Sequence, residues 1–140
     1  YICFLSLFLF SCSGDDNNDL NLPKFHLELL EVDEITLPTS FNHNEDYTIK
    51  VKFTYPTECH YFHSLYYQAV DSTRIVAIRS YVDDEKETCE EDATEAEYEF
   101  TLTASQTEDY LFKIWKGVND DNENIYEEYT VPVLEPGEQP

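Results

Sequence analysis

Cys59-His60-Tyr61-Phe62-His63 gathers a thiol and two imidazoles in one short segment, a donor set that suits zinc if the groups can turn to a common point. The spacing argues against this. In an extended chain side chains alternate, so His60 and His63 point to opposite faces and cannot share an ion. No metal is assigned there. Asp120-Asp121-Asn122-Glu123-Asn124 offers hard oxygen donors of the kind calcium takes. It opens like an EF-hand loop, but Ile125 stands where the turn glycine belongs and Val131 where the bidentate glutamate belongs. Asp120, Asp121, Asn122 and Asn124 are therefore weak calcium candidates on a solvated turn.

Enzymatic spacing is missing. With only Gly14, Gly117 and Gly137 there is no glycine-rich phosphate cradle and no Gly-x-Ser-x-Gly elbow, and four scattered histidines form no triad pattern. A carboxylate pair drawn from 30 acids says nothing without geometry. The expectation is a protein that is not an enzyme and carries no cofactor. Aromatics are the more informative excess, with 11 Tyr, 9 Phe and 1 Trp. Strict alternation along β-structure puts Tyr61 and Tyr67 on one side and Phe62 and Tyr66 on the other. Rings left exposed once a core is filled could stack on sugars or anchor a protein. Tyr61, Phe62, Tyr66, Tyr67 and Trp115 are the candidate binding aromatics.

The elements that must position these residues are strands. In Tyr47 to Tyr55 every odd position is apolar or aromatic and every even one polar, the pattern of a half-buried strand. Tyr98, Phe100 and Leu102 repeat it. Lys24–Val32, Glu34–Leu37, His60–Ala69, Thr73–Val82, Tyr110–Lys116 and Ile125–Val133 complete the set, with no convincing helical period anywhere. Reflection about the polar turn 119–124 sets Tyr110 opposite Val133, Phe112 opposite Val131 and Ile114 opposite Tyr129, so the apolar rows coincide as a hairpin requires. Reflection about 71–73 brings Cys59 near Glu85. Seven or eight short strands in one domain's length point to an all-β fold, an immunoglobulin-like antiparallel β-sandwich.

At the N-terminus, an uncharged run through Ile2, Phe4, Leu5, Leu7, Phe8, Leu9 and Phe10 stops at Ser11-Cys12 and gives way at once to Ser13-Gly14-Asp15-Asp16-Asn17-Asn18-Asp19. Leu9-Phe10-Ser11-Cys12 resembles the lipobox of bacterial lipoproteins. That resemblance implies a signal peptide over 1–11, which is too short to span a bilayer and is expected to be N-terminally incomplete here because it lacks an initiator Met and a basic n-region. It implies an acylated, palmitate-bearing Cys12, a polar acidic tether over 12–22, and a β-sandwich domain over 23–140. Asp15 and Asp16 look like the surface-export signal of Bacteroidetes lipoproteins. An outer-membrane lipoprotein on the cell surface is the expectation, with periplasm-facing attachment the alternative. With Cys3 lost and Cys12 acylated, Cys59 and Cys89 remain, and export to an oxidising compartment implies that they pair.

All 30 acids and 8 bases follow Cys12, and the net charge of −22 excludes nucleic acid as a partner, because phosphate backbones would be repelled. The domain resembles small β-sandwich lipoproteins of the same bacterial group through Tyr47 to Pro56, Thr57 to His60, and Phe112 to Gly117 with a terminal Val-Pro-Val. No activity travels with that likeness. The functional expectation is a membrane-anchored binding or adhesion module for a glycan or a protein. The alternative is an accessory subunit of an outer-membrane or periplasmic complex.

Overall fold

The structure, a computed structural model, describes residues 22–135. Cys12, the signal segment and all of the tether but Leu22 lie outside the described residues, so those assignments stand on sequence. Ten strands run in order: β1 Phe25–Leu30, β2 Glu34–Thr36, β3 Phe41–Asn42, β4 Asp46–Thr57, β5 His60–Val70, β6 Thr73–Asp83, β7 Glu91–Thr103, β8 Tyr110–Val118, β9 Asn124–Val131 and β10 Val133–Leu134. Among the described residues there is no helix, and within the expected strand 24–32 it is Phe25–Leu30 that pairs as β1.

Two sheets pack as a β-sandwich. One holds β1, β5, β6, β8 and β9, and the other β2, β4 and β7, while β3 and β10 form a short parallel pair. The centre of the fold is one long antiparallel ribbon. Residues 46–57 pair with 91–103 in the second sheet, and 60–70 pair with 73–83 in the first. The chain thus makes a single hairpin with its tip at Asp71 and folds it double at 58–59 and 84–90, so that its two halves face each other. Tyr47, Ile49, Val51 and Phe53 alternate inward from β4 against Val76, Ile78, Phe112 and Ile114, because a strand buries one residue in two. Removing that apolar surface from water is the main favourable term, at ~25 cal/mol per Å².

Two strand pairs are parallel, β6 with β8 and β10 with β3, against the expectation of a wholly antiparallel sandwich. For β6 the reason is topological: the chain passes through one strand of the opposite sheet, β7, and on crossing back must run in the direction it left.

Pairing of β8 with β9 differs by two residues from the reflected register. Tyr110 faces Val131, Phe112 faces Tyr129 and Ile114 faces Glu127. A bulge between Trp115 and Val118 and a shorter turn, in which Asn119 N–H donates to the Glu123 carbonyl, take up the difference. A slip of two preserves the face of every residue, so the inward row of β8 is as expected.

Cys59 and Cys89 are bonded, with Cα atoms 5.6 Å apart. They lie on the two crossovers between sheets, so the bond clips together the bends of the doubled ribbon. Asp83 N–H donates to the Cys59 carbonyl at 2.9 Å, two residues short of the expected Glu85.

Candidate functional site

The aromatic cluster around Tyr61 divides differently from strict alternation. Along β5 the register against β6 shifts between Phe62 and Ser64, so His63 is an extra residue and every side chain after it changes face. Tyr61 and Tyr66 therefore share the outer face. Phe62 and Tyr67 both turn inward, where Phe62 stacks on Tyr98 at 4.9 Å and Tyr67 meets Phe100 at 5.4 Å. Phe62 and Tyr67 are partly buried and pack against the core, so they turn away from the outer face that carries Tyr61 and Tyr66. Burial pushes the Tyr67 phenol up, opposed by the nearby Arg74 charge. Ser80, the buried polar residue at the bulge, donates from Oγ to the Tyr61 carbonyl at 2.9 Å and satisfies a group that the irregular ladder would strand.

On the outer face Tyr61 lies across from Tyr81, with ring centroids 5.0 Å apart and planes inclined by 16°. Phe25 of β1 meets the edge of Tyr81 at 5.9 Å. Beside it, in register with Tyr81 and Arg79, come Leu27 and Leu29. Exposure is 52% for Phe25 and Leu27 and 38% for Leu29 and Tyr61. Further along β5, Tyr66 carries the Arg79 guanidinium over its ring at 4.9 Å, and no carboxylate among the described residues lies within ion-pair distance of Arg79. The result is a continuous apolar and aromatic platform on a protein whose surface is otherwise dense in acid. A shallow groove of about 640 Å³ opens on it, lined by Lys24, Phe25, Tyr61, His63, Tyr81 and Asp83.

Trp115 stands apart from this platform. Its ring nitrogen donates to Asn124 Oδ1 at 3.0 Å, and it lines a second groove of about 540 Å³ with Leu29, Glu31, Asp33, Pro56 and Val118. Asn124, one of the calcium candidates, is thereby engaged. In the same turn Asn119 Oδ1 accepts the N–H groups of Asp121 and Glu123, each at 2.9 Å, and Asn122 takes φ +63°. Turn closure accounts for the Asn residues there. Among the described residues no group of three or more His, Cys, Asp or Glu is placed to hold a metal ion.

The sequence reading passed over a hydrogen-bonded chain on the inward side of β1. His26 Nδ1 bonds Asp84 at 2.7 Å and its Nε2 bonds Glu28 Oε1 at 2.8 Å. Glu28 Oε2 accepts from His60 Nε2 at 2.9 Å, and His60 Nδ1 accepts from Thr57 Oγ1 at 2.7 Å. With a carboxylate on each nitrogen, the protonated form of His26 can donate from both, so the site favours the imidazolium. Its pKa is raised by the bonds to Glu28 and Asp84, and that of Glu28 is lowered by His26 and His60. Thr57, His60 and Glu28 stand in the order of a hydroxyl, imidazole and carboxylate triad. Yet Thr57 Oγ1 also accepts the Cys59 N–H at 3.2 Å, and both His60 nitrogens are satisfied internally. The chain of bonds ties β1 to β4, β5 and the crossover after β6, which is the work of a clamp.

Of the sequence candidates the structure thus joins Tyr61 and Tyr66 on one face, with Phe25, Leu27, Leu29 and Tyr81, which were not singled out. Their signal was present as the alternation Phe25, Leu27, Leu29, but such a row reads as core-facing. In the fold it is Leu30 and Val32 that enter the core. Comparison with protein-family models, with characterised proteins and with solved structures finds no match to this chain.

Proposed function

We propose that this protein is an exported lipoprotein, acylated at Cys12, whose sandwich domain is a non-catalytic module that binds a protein through the outer face of β1, β5 and β6. One observation carries the reading. Phe25, Leu27, Leu29 and Tyr61 form a contiguous exposed apolar row beside the Tyr61 and Tyr81 pair, and such patches on small acidic domains mark contact surfaces more than chance exposure. Exposed Phe25 and Tyr61, with Leu27 and Leu29 extending the apolar surface, favour a protein contact, since aromatic rings are enriched at such interfaces. A glycan is the second reading, favoured by the near-parallel Tyr61 and Tyr81 rings, on which a sugar could lie, with Lys24, His63 and Asp83 beside them for its hydroxyls.

Anchoring fits this geometry. Residue 22, the acidic crossover 84–90 and the turn 119–123 share one end of the sandwich. Tethering through residues 12–22 would hold that end toward the membrane, while its acids resist adsorption to anionic head groups. Cell-surface display remains the expected location, with periplasm-facing attachment or service in an outer-membrane complex the alternative. Two measurements test the proposal. Cys12→Ser should release a folded domain from membranes, and binding of the wild-type protein to arrays of glycans and of surface proteins should be lost in Tyr61→Ala and Leu27→Lys while the urea midpoint is kept. Retention of Cys12→Ser on membranes would overturn the lipoprotein reading, and binding indifferent to both substitutions would overturn the platform.

A further inference from the structure

The exposed row on β1 has a structural cause. β1 pairs with β6 on one side, and among the described residues no strand pairs with its other side. Phe25, Leu27 and Leu29 are open because the cross-strand neighbours that would cover them are missing. The other long edges carry the usual safeguards. β7 shows Glu91, Asp92, Glu95, Glu97 and Glu99, β5 is broken by its bulge at His63, and β9 carries Glu127 and Glu128. β1 has an apolar outer row and, along its free side, the groove lined by Leu29, Glu31, Asp33, Trp115 and Val118.

We propose that the partner of the platform is an extended peptide segment, apolar residues alternating with basic ones, that adds to the free edge of β1 as one more strand. The proposal rests on the protein-binding reading above and names its mode. A strand hydrogen-bonded to β1 would set its outward side chains beside Phe25, Leu27 and Leu29, covering the row, and would lie in the groove between β1 and the tip of β8. Charge selects a basic segment. Glu31 and Asp33 line the groove, and the neighbouring Lys116 is spent on the Val32 and Asp33 carbonyls at 2.5 and 3.2 Å and on Glu127. A net charge of −22 steers a cationic chain inward and opposes a second copy of this one.

The test uses a capped peptide of alternating lysine and valine as long as β1, with the exported protein, and reads amide hydrogen exchange over Phe25–Leu30. The peptide should slow exchange of the β1 amides that point away from β6 by about tenfold or more. N-methylation of alternate peptide amides should abolish this in one phase and spare it in the other, because an added strand turns only every second N–H toward β1. A glutamate and valine peptide should give no protection. Equal binding of both methylated peptides would overturn strand addition while leaving the platform reading intact, since contact would then be through side chains alone. Equal protection by the acidic peptide would overturn the charge argument. A dimer whose β1 amides are already protected without peptide would show the edge to be filled by a second copy.

Discussion

Reducing the Cys59 to Cys89 bond should lower stability by an amount that its place in the chain sets. The bond joins residues 30 apart in sequence. Chain entropy for a loop of that length gives about 12 cal/mol/K, or ~3.6 kcal/mol at 25 °C. The two crossovers remain adjacent in the folded protein without it, because Glu58 N–H donates to the Glu90 carbonyl at 3.0 Å and Thr57 pairs with Glu91. The loss should therefore fall mainly on the unfolded state, raising the unfolded fraction roughly 400-fold. Urea titration of oxidised and reduced wild-type protein, followed by Trp115 fluorescence, compares identical side chains and avoids the cavity that alanine would leave at buried Cys59. With an m-value of about 1.5–2 kcal/mol/M, the midpoint should fall by about 2 M. A difference below about 1 kcal/mol would refute the reasoning. So would faster exchange confined to the amides of 57–60 and 84–91, since the effect would then lie in the native crossovers.

Deleting His63 should remove the bulge while keeping Phe62 opposite Ser80 and Ser64 opposite Arg79, so that Leu65 and Tyr67 stay inward, Tyr66 stays outward and the domain stays folded by circular dichroism, and His63→Ala should shift stability by no more than about 0.5 kcal/mol. Gly117 sits at φ +96°, and a Cβ there would meet Glu31 Oε1 at 2.5 Å. Gly117→Ala should therefore cost about 1–2 kcal/mol in the same titration, of which Glu31→Ala in the double variant should restore the steric part but not the backbone part. The β1 clamp should depend on pH in both directions. His26, raised above its ordinary 6.5, contributes stability below that value that is lost as pH rises through its folded-state pKa; Glu28, lowered from 4.5, contributes stability above that value that is lost as pH falls through its own. Exchange of the β1 amides should thus, after correction for intrinsic rates, be slowest between pH 4.5 and 6.5, and His26→Gln should flatten the alkaline limb; an unchanged limb would remove His26 from the clamp.

Much of the fold was legible in the alternation. Tyr47 to Tyr55 and Tyr98 to Leu102 read as half-buried strands because a pleated chain on a core must alternate, and they are two partners of one sheet with Ile49 opposite Phe100. The β8 and β9 hairpin was legible up to a slip of two, the error that parity cannot detect. What reflection about Asp71 could not show was that the same hairpin continues past the disulfide into β4 and β7, because nothing local to 58–59 or 84–90 says that the ribbon is folded double.

By itself the sequence determined the alternating strand segments and the net charge of −22, since these depend on periodicity and composition alone, and the structure shows Cys59 and Cys89 paired. The tertiary structure alone decided which face of each strand is the core. A one-residue bulge at His63 sends Tyr67 inward and Tyr66 outward, and the position of β1 at an unfilled edge leaves Phe25, Leu27 and Leu29 in solvent although their pattern matches that of a buried row. Alternation fixes which residues share a face, but only the packing of one sheet on the other fixes which face meets water.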